Sequence, residues 1–197
     1  MIITKTPFRM SFFGGGTDME EYFRENEGAV LSTTFDKYCY VNVRHLPRFF
    51  DYSTELSYSK TERVTDINDI QHPAIREAMK MLDMREIRLT YEADLPARSG
   101  LGTSSSFAVG MLNAFYALKG KYADKKKLAD EAIYLERVLC NESGGWQDQI
   151  AASFGGFNRI NFNSDGYEVL PVIISPERKK MLNDNLLMFF TGFTRFS

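Results

Sequence analysis

The run Pro96-Ala-Arg-Ser-Gly-Leu-Gly-Thr-Ser-Ser-Ser106 has the residue types that bind phosphate. Backbone N–H groups at a helix N-terminus are unpaired and together carry about half a positive charge. Phosphate oxygens reach them where no Cβ intervenes. Gly100 and Gly102 would permit that approach, and Thr103, Ser104, Ser105 and Ser106 would set hydroxyls at the helix mouth. One such hydroxyl could ligate Mg²⁺, a hard cation that prefers oxygen. The same residues could instead form a tight strand-to-helix turn with a serine N-cap. The run is not a P-loop, because no Lys follows its last glycine, and it is not G-x-G-x-x-G, because no third glycine follows Gly102 at the right spacing.

Three further places could contribute. Near the N-terminus, Pro7-Phe-Arg9-Met-Ser-Phe-Phe-Gly-Gly-Gly16-Thr17-Asp18 puts glycines directly before a polar pair. Gly14, Gly15 and Gly16 could let a ligand lie against backbone, with Asp18 accepting from sugar hydroxyls or capping a helix over 19–26. Arg9 is a permanent cation suited to a phosphate or a developing negative charge. Glu136 falls at 100° per residue in the middle of an apolar helix face, so it needs a cation or a buried Arg partner. Asp148, in Ser143-Gly-Gly-Trp-Gln-Asp-Gln149, could orient or deprotonate a hydroxyl, or be an acid favoured in the first turn of a helix.

The elements that must position these residues follow from periodicity. Residues 29–35 and 38–44 alternate at the strand period, with Cys39, Val41 and Val43 on one face, and Phe35-Asp-Lys37 predicts a hairpin between them. Residues 87–91 alternate and lead into the glycine run. A helix is predicted over 104–119, apolar on most sides and therefore buried, with Gly120 as its C-terminal cap. A second runs from 123 or 124 to 140, with Leu128, Ala129, Ala132, Ile133, Leu135, Leu139 and Cys140 as its stripe. A short helix over 146–153, a turn and strand over 154–162, and a strand-like run over 186–191 follow. Strands and helices interleave without a βαβ rhythm, which indicates an α+β fold. The break after the main domain is expected between 163 and 183, at Ser164-Asp-Gly166 or Ser175-Pro176.

Composition narrows the function classes. The chain has 197 residues, 44% hydrophobic and 25% charged, with a net charge of −2. That balance gives no basic footprint for nucleic acid and no polybasic membrane patch. No apolar run reaches the roughly 20 residues of a membrane span, and the N-terminus has no signal-peptide pattern, so a cytoplasmic protein is expected. The two cysteines, Cys39 and Cys140, read as reduced core thiols. The two histidines, His45 and His72, are isolated and predict no zinc site.

Together these motifs resemble the GHMP kinases, the superfamily of galactokinases, homoserine kinases, mevalonate kinases and phosphomevalonate kinases. The superfamily's second motif, P-x-x-x-G-L-G-S-S-A-A, is matched by Pro96, Gly100, Leu101, Gly102 and Ser104, with Thr103, Ser105 and Ser106 as small-residue departures. Its sugar-kinase first motif, P-x-R-x-x-x-x-G-x-x-T-D, is matched by Pro7, Arg9, Gly14, Thr17 and Asp18. The resemblance implies ATP bound by Pro96, Arg98, Ser99, Gly100, Leu101, Gly102, Thr103, Ser104, Ser105 and Ser106. It implies Mg²⁺ held by Ser104 and Glu136, Asp148 as base, and Arg9 near the transferred phosphoryl. Gly15, Gly16, Thr17 and Asp18 would face the sugar. Ser11-Phe-Phe-Gly-Gly-Gly-Thr-Asp18, Asp94-Leu-Pro-Ala-Arg-Ser-Gly-Leu-Gly102 and Gln147-Asp-Gln149 are similar to runs in D-glycero-D-manno-heptose 7-phosphate kinases, which phosphorylate the C1 hydroxyl. Arg44 and Arg98 are candidates for the substrate's own phosphate on charge alone. A kinase for fucose or galactose, or a sensor that binds without catalysis, is the alternative.

The implied fold is an N-terminal domain like domain 2 of ribosomal protein S5, assigned to residues 1–175, followed by the start of a ferredoxin-like domain at 176–197. The superfamily's third motif is not found in these residues, which implies a chain truncated before the wall that closes the site. A sugar phosphate and ATP are the expected partners, and a homodimer is left open.

Overall fold

In a computed structural model, described here for residues 1–96 and 100–189, the chain is a mixed α+β fold. Its elements in order are β1 (Ile2–Phe13), α1 (Glu20–Asn26), β2 (Gly28–His45), β3 (Thr54–Ser57), β4 (Thr61–Val64), a 3₁₀ turn (Ile67–Asp69), α2 (Pro73–Met81) and β5 (Ile87–Ala93). Then come α3 (Thr103–Leu118), α4 (Lys125–Ile133), a π-helical segment (Tyr134–Leu139), α5 (Gln147–Phe154), β6 (Phe157–Asn163), β7 (Gly166–Pro171) and α6 (Pro176–Asp184). No described helix is long and apolar enough to cross a membrane.

One sheet holds all seven described strands, in the order β4-β3-β5-β2-β6-β7, with β1 also paired to β2. The β3–β5 pair is parallel and the others are antiparallel. Strand β2 is the spine: β5 pairs with its C-terminal half and β6 with its N-terminal half.

The hairpin expected at Phe35-Asp-Lys37 does not form; β2 is one strand of 18 residues. Pro7 pairs with Tyr38 but Arg9 with Thr34, so three residues of β2 oppose Phe8 alone. The turn-like composition is absorbed as a bulge, because both flanks find the same antiparallel partner. Bulges re-aim side chains, and this one does. Before it Thr4, Thr6 and Phe8 are the buried residues of β1; after it Arg9 and Ser11 bond to α5.

Helix α3 is the central helix of the core. Ser105 to Leu112, Ala114, Phe115 and Tyr116 are buried, as an apolar-all-round helix requires. It lies against β1 and β2, with α4 and α5 also packed on it. A larger cluster includes Val41, Val43, Leu56 and Leu89 with α2 and α3, and a smaller one joins Phe23, Val30, Ile160 and Phe162 to Ile133 and Ile150. Cys39 is fully buried, which pushes its thiol up to about 12, and Cys140 is half-buried; both are free.

The two candidate break points differ in structure. Ser164-Asp-Gly166 is the hairpin turn between β6 and β7, inside the sheet. Ser175 lies beyond the sheet and caps α6, its side chain accepting from the Arg178 backbone N–H. Leu186 to Phe189 lie in no strand, and the rest of that expected strand lies outside the described residues.

Candidate active site

The bulge in β1–β2 turns Arg9 toward α5. Arg9 Nε and Nη2 both donate to Asp148 Oδ1, at 2.7 and 2.6 Å. Its Nη1 donates to the Gly100 carbonyl at 3.3 Å, and its backbone N–H donates to the Leu101 carbonyl, also at 3.3 Å. Residues from the first motif, the glycine run and the start of α5 thus meet on one guanidinium. The side chains of Arg9 and Asp148 are 14% and 23% exposed, so the pair is reachable yet partly screened from water, where charge interactions are stronger than in bulk solvent.

Gly102 stands at the N-cap of α3 with φ of 70°, in the left-handed region, and no side chain caps the helix. A Cβ there would sit 3.3 Å from both Arg9 Cγ and Asp148 Oδ2. The glycine therefore serves the backbone conformation and the close approach of the ion pair at once. A serine cap, the alternative turn reading, is not what the helix uses.

The four hydroxyls after Gly102 divide. A helix rotates 100° per residue, so they cannot all face the mouth. Ser105 and Ser106 are buried; Ser106 Oγ donates to the Pro7 carbonyl at 2.9 Å and Ser105 Oγ to Glu136 Oε2 at 2.7 Å. Their hydroxyls hold the structure and do not line the mouth, which corrects the expectation that all four would. Thr103 is half-buried, Ser104, Pro96 and Gly100 are exposed, and Leu101 is half-buried. Arg98 and Ser99 lie outside the described residues.

Glu136 is 2% exposed, as its place in the apolar stripe predicted. The helix expected through 140 widens here into a π-helical segment, where the Cys140 N–H donates to the Leu135 carbonyl at 2.9 Å. Such segments recur at functional sites. Burial pushes the Glu136 carboxyl up to about 7, opposed by hydrogen bonds from Ser105 and Gln149. Among the described residues its partners are these neutral donors, and no Arg pairs with it. A buried carboxylate beside the Ser105 hydroxyl, bonded by no cation among the described residues, offers oxygen of the kind Mg²⁺ takes; Ser104 precedes Ser105 and is exposed in the first turn of α3.

Asp18 is buried at 2% and does not cap α1, whose N-cap is Met19 without a side-chain bond. Its Oδ1 accepts from Gly16 N–H and its Oδ2 from Gln147 N–H, both at 3.1 Å. A Cβ on Gly145 would lie 1.9 Å from Asp18 Oδ2, so that approach depends on a glycine. Thr17 Oγ1 donates to the Gly14 carbonyl at 2.8 Å and accepts from Ala29 N–H at 3.1 Å. The glycine run is thereby tied to β2 and to the start of α5, with Gly15 and Gly16 left exposed.

Arg44 is not brought to this site. It lies one residue past Val43, whose partner Ile2 is seven residues along β1 from Arg9, or about 25 Å at the strand rise. There it lines a polar concavity with Asn42, Arg88 and Thr90. Sequence reasoning did not single out Ser11 or Gln147, although Ser11 Oγ donates to Gln147 Oε1 beside the ion pair. It also missed Gln149 as a partner of Glu136.

Residues 70–156, which contain the glycine run, Glu136 and Asp148, match the family described as GHMP kinases N terminal domain. The match places a GHMP kinase N-terminal domain in residues 70–156. The chain is 32% identical to a D-glycero-alpha-D-manno-heptose 7-phosphate kinase of Campylobacter jejuni, over 98% of this chain and 60% of that one. It is also 32% identical to a bifunctional fucokinase/GDP-fucose pyrophosphorylase of Arabidopsis thaliana, over 53% of this chain and 10% of the relative. A crystal structure of a D-glycero-D-manno-heptose 1-phosphate kinase from Bacteroides thetaiotaomicron superposes with a TM-score of 0.78 at 26% identity, covering 89% of this chain and 61% of that one. The GHMP kinase domain thus lies in a chain that spans about 60% of the length of the heptose kinase relatives.

Proposed function

We propose that this domain serves an ATP-dependent kinase that phosphorylates a sugar phosphate, with the C1 hydroxyl of D-glycero-D-manno-heptose 7-phosphate as acceptor. The observation that carries the reading is the Arg9–Asp148 pair seated against Gly102 at the start of α3. Arg9 occupies Asp148 Oδ1 with both of its N–H bonds, which leaves Oδ2, the oxygen facing Gly102, to accept a proton from the attacking hydroxyl. The guanidinium orients that carboxylate and lies where negative charge develops during transfer. The unpaired amides of α3 receive the ATP phosphates, with Gly100 and Gly102 giving access and Thr103 and Ser104 offering hydroxyls. Ser104 and Glu136 would hold Mg²⁺, which when bound offsets charge on the phosphate oxygens. Gly15, Gly16, Thr17 and Asp18 form the sugar end, with Asp18 acting through the backbone it holds.

The unit assigned to this work is residues 1–175. Supporting that boundary, the sheet ends with Pro171 and α6 contributes no buried residue. The likeness to fucokinase supports a second reading, a kinase for an unphosphorylated sugar. A panel on the full-length protein tests both: heptose 7-phosphate, fucose and galactose, followed by nucleotide turnover and by the position of the new phosphate. Turnover confined to heptose 7-phosphate with product phosphorylated at C1 is expected. A free sugar as best substrate selects the second reading, and ATP binding with no turnover on any sugar leaves only a sensor.

A further inference from the structure

We infer that Ser11 and Gln147 read the acceptor hydroxyl next to the one phosphorylated, the C2 hydroxyl if transfer is to C1; this rests on the kinase reading above. Ser11 Oγ donates to Gln147 Oε1. The two N–H bonds of the Gln147 amide then have no acceptor among the described residues. Both side chains are half-buried, so the amide is open to a ligand but only partly to water.

Position gives this pair its meaning. Ser11 follows Arg9 by two on β1, and Gln147 precedes Asp148 in the first turn of α5. Arg9–Asp148 and Ser11–Gln147 are therefore adjacent rungs between the same strand and helix, one charged and one neutral. The glycine run 100–102 touches the first rung through Arg9. Beyond the second, Asp18 holds the Gln147 backbone and the Gly16 N–H. A Cβ at Gly15 or Gly16 would have no neighbour within 4 Å, so that end is open.

With nucleotide phosphates at the first rung, the acceptor ring extends across the second. An amide with two free donors suits a hydroxyl oxygen there, and its neutrality leaves the charge on Asp148 undisturbed. A site built to bond a substrate hydroxyl rejects an analogue that lacks it far more strongly than an apolar site can.

The test measures kcat, KM for sugar and KM for ATP on the full-length protein, with D-glycero-D-manno-heptose 7-phosphate and its 2-deoxy analogue as probes. Wild type is expected to favour the hydroxylated sugar. Gln147→Leu should raise sugar KM on the order of 10-fold or more and erase that preference, with KM for ATP within about 2-fold. Ser11→Ala, which releases the amide without removing it, should move both in the same direction by less. Unchanged sugar KM and unchanged preference in both variants would overturn the inference alone. So would equal rises in both KM values together with a lower melting temperature, the mark of a strand-to-helix staple. If wild type phosphorylates neither probe, the reading of heptose 7-phosphate as acceptor fails and the inference falls with it.

Discussion

Glu55 and Asp148 are both carboxylates held by arginine, and they are held differently. Glu55, on β3, is 5% exposed. Its Oε2 accepts from Tyr52 Oη at 2.9 Å and Arg63 Nε at 3.0 Å, and its Oε1 from Arg88 Nε at 2.8 Å. Both oxygens are engaged, each by a cation. Asp148 receives both of its Arg9 bonds on Oδ1, and Oδ2 faces Gly102. A carboxylate engaged on both oxygens locks strands together; one engaged on a single oxygen is oriented and still able to take a proton. Arginine beside an acid is thus no mark of catalysis by itself. Neither is an oxygen left without a partner among the described residues, since Arg24 also places both of its bonds on Glu20 Oε1 at the exposed surface. What sets Asp148 apart is its place against Gly102 at the start of α3.

Substituting each acid by its amide should separate the two roles. Asp148→Asn keeps the shape and removes the base, so kcat of the full-length enzyme should fall about 10²- to 10⁴-fold with a melting temperature close to wild type. Full turnover in that variant would end the assignment. Glu136→Gln is expected to have the next largest effect. It should abolish most of the dependence of kcat on Mg²⁺ concentration, measured by titrating the metal at saturating ATP; an unchanged Mg²⁺ curve would refute the metal role.

Glu55→Gln should do the reverse of Asp148→Asn. The arginines around it are half exposed, so the loss of stability is about 1–2 kcal/mol, read from denaturant unfolding, with kcat and both KM values unchanged. The pH dependence carries the same signature. Burial raises the Glu55 pKa, but the bonds from Tyr52 and Arg63 and the charge of Arg88 outweigh it, so the group lies below its ordinary 4.5. A depressed folded pKa adds stability that is present above the unfolded value and lost as pH falls through the folded one. Wild type should therefore lose its advantage over Glu55→Gln below about pH 4.5. A difference that persists undiminished at lower pH would contradict the ionised pairing.

How legible these features were depends on how local their causes are. The glycine run, Arg9, Asp148 and the buried place of Glu136 could be read because their signals lie within a few residues or one helical period. Pro73 at the first position of α2, with Ala74, Ile75, Ala78 and Met79 buried at helical spacing, was equally local and went unread. The bulge opposite Phe8 was not local: Phe35-Asp-Lys37 has a hairpin's composition, and only pairing of both flanks with β1 keeps the strand whole. The Ser11–Gln147 bond spans 136 positions, and no period connects its ends. The inward turn of Ser105 and Ser106 lies between these cases, since helical rotation forbids four consecutive hydroxyls from facing one way.

Arg44 gives the smallest expected effect and the sharpest control on the comparison. Charge alone made it a candidate for a substrate phosphate, just as charge alone would mark Arg63 or Arg88. Register along β2 removes it: Arg44 pairs with Arg88 across to β5, while Thr34 pairs with Arg9 at the site. A side chain about 25 Å along the strand cannot touch a sugar whose reacting hydroxyl is at Asp148. Arg44→Ala should therefore leave kcat, sugar KM and ATP KM within about 2-fold of wild type, since a surface substitution away from such features is near neutral. A selective rise in sugar KM would mean that the acceptor lies along the outer end of β2. The Arg9–Asp148 pair would then be a second structural clasp of the Glu55 kind.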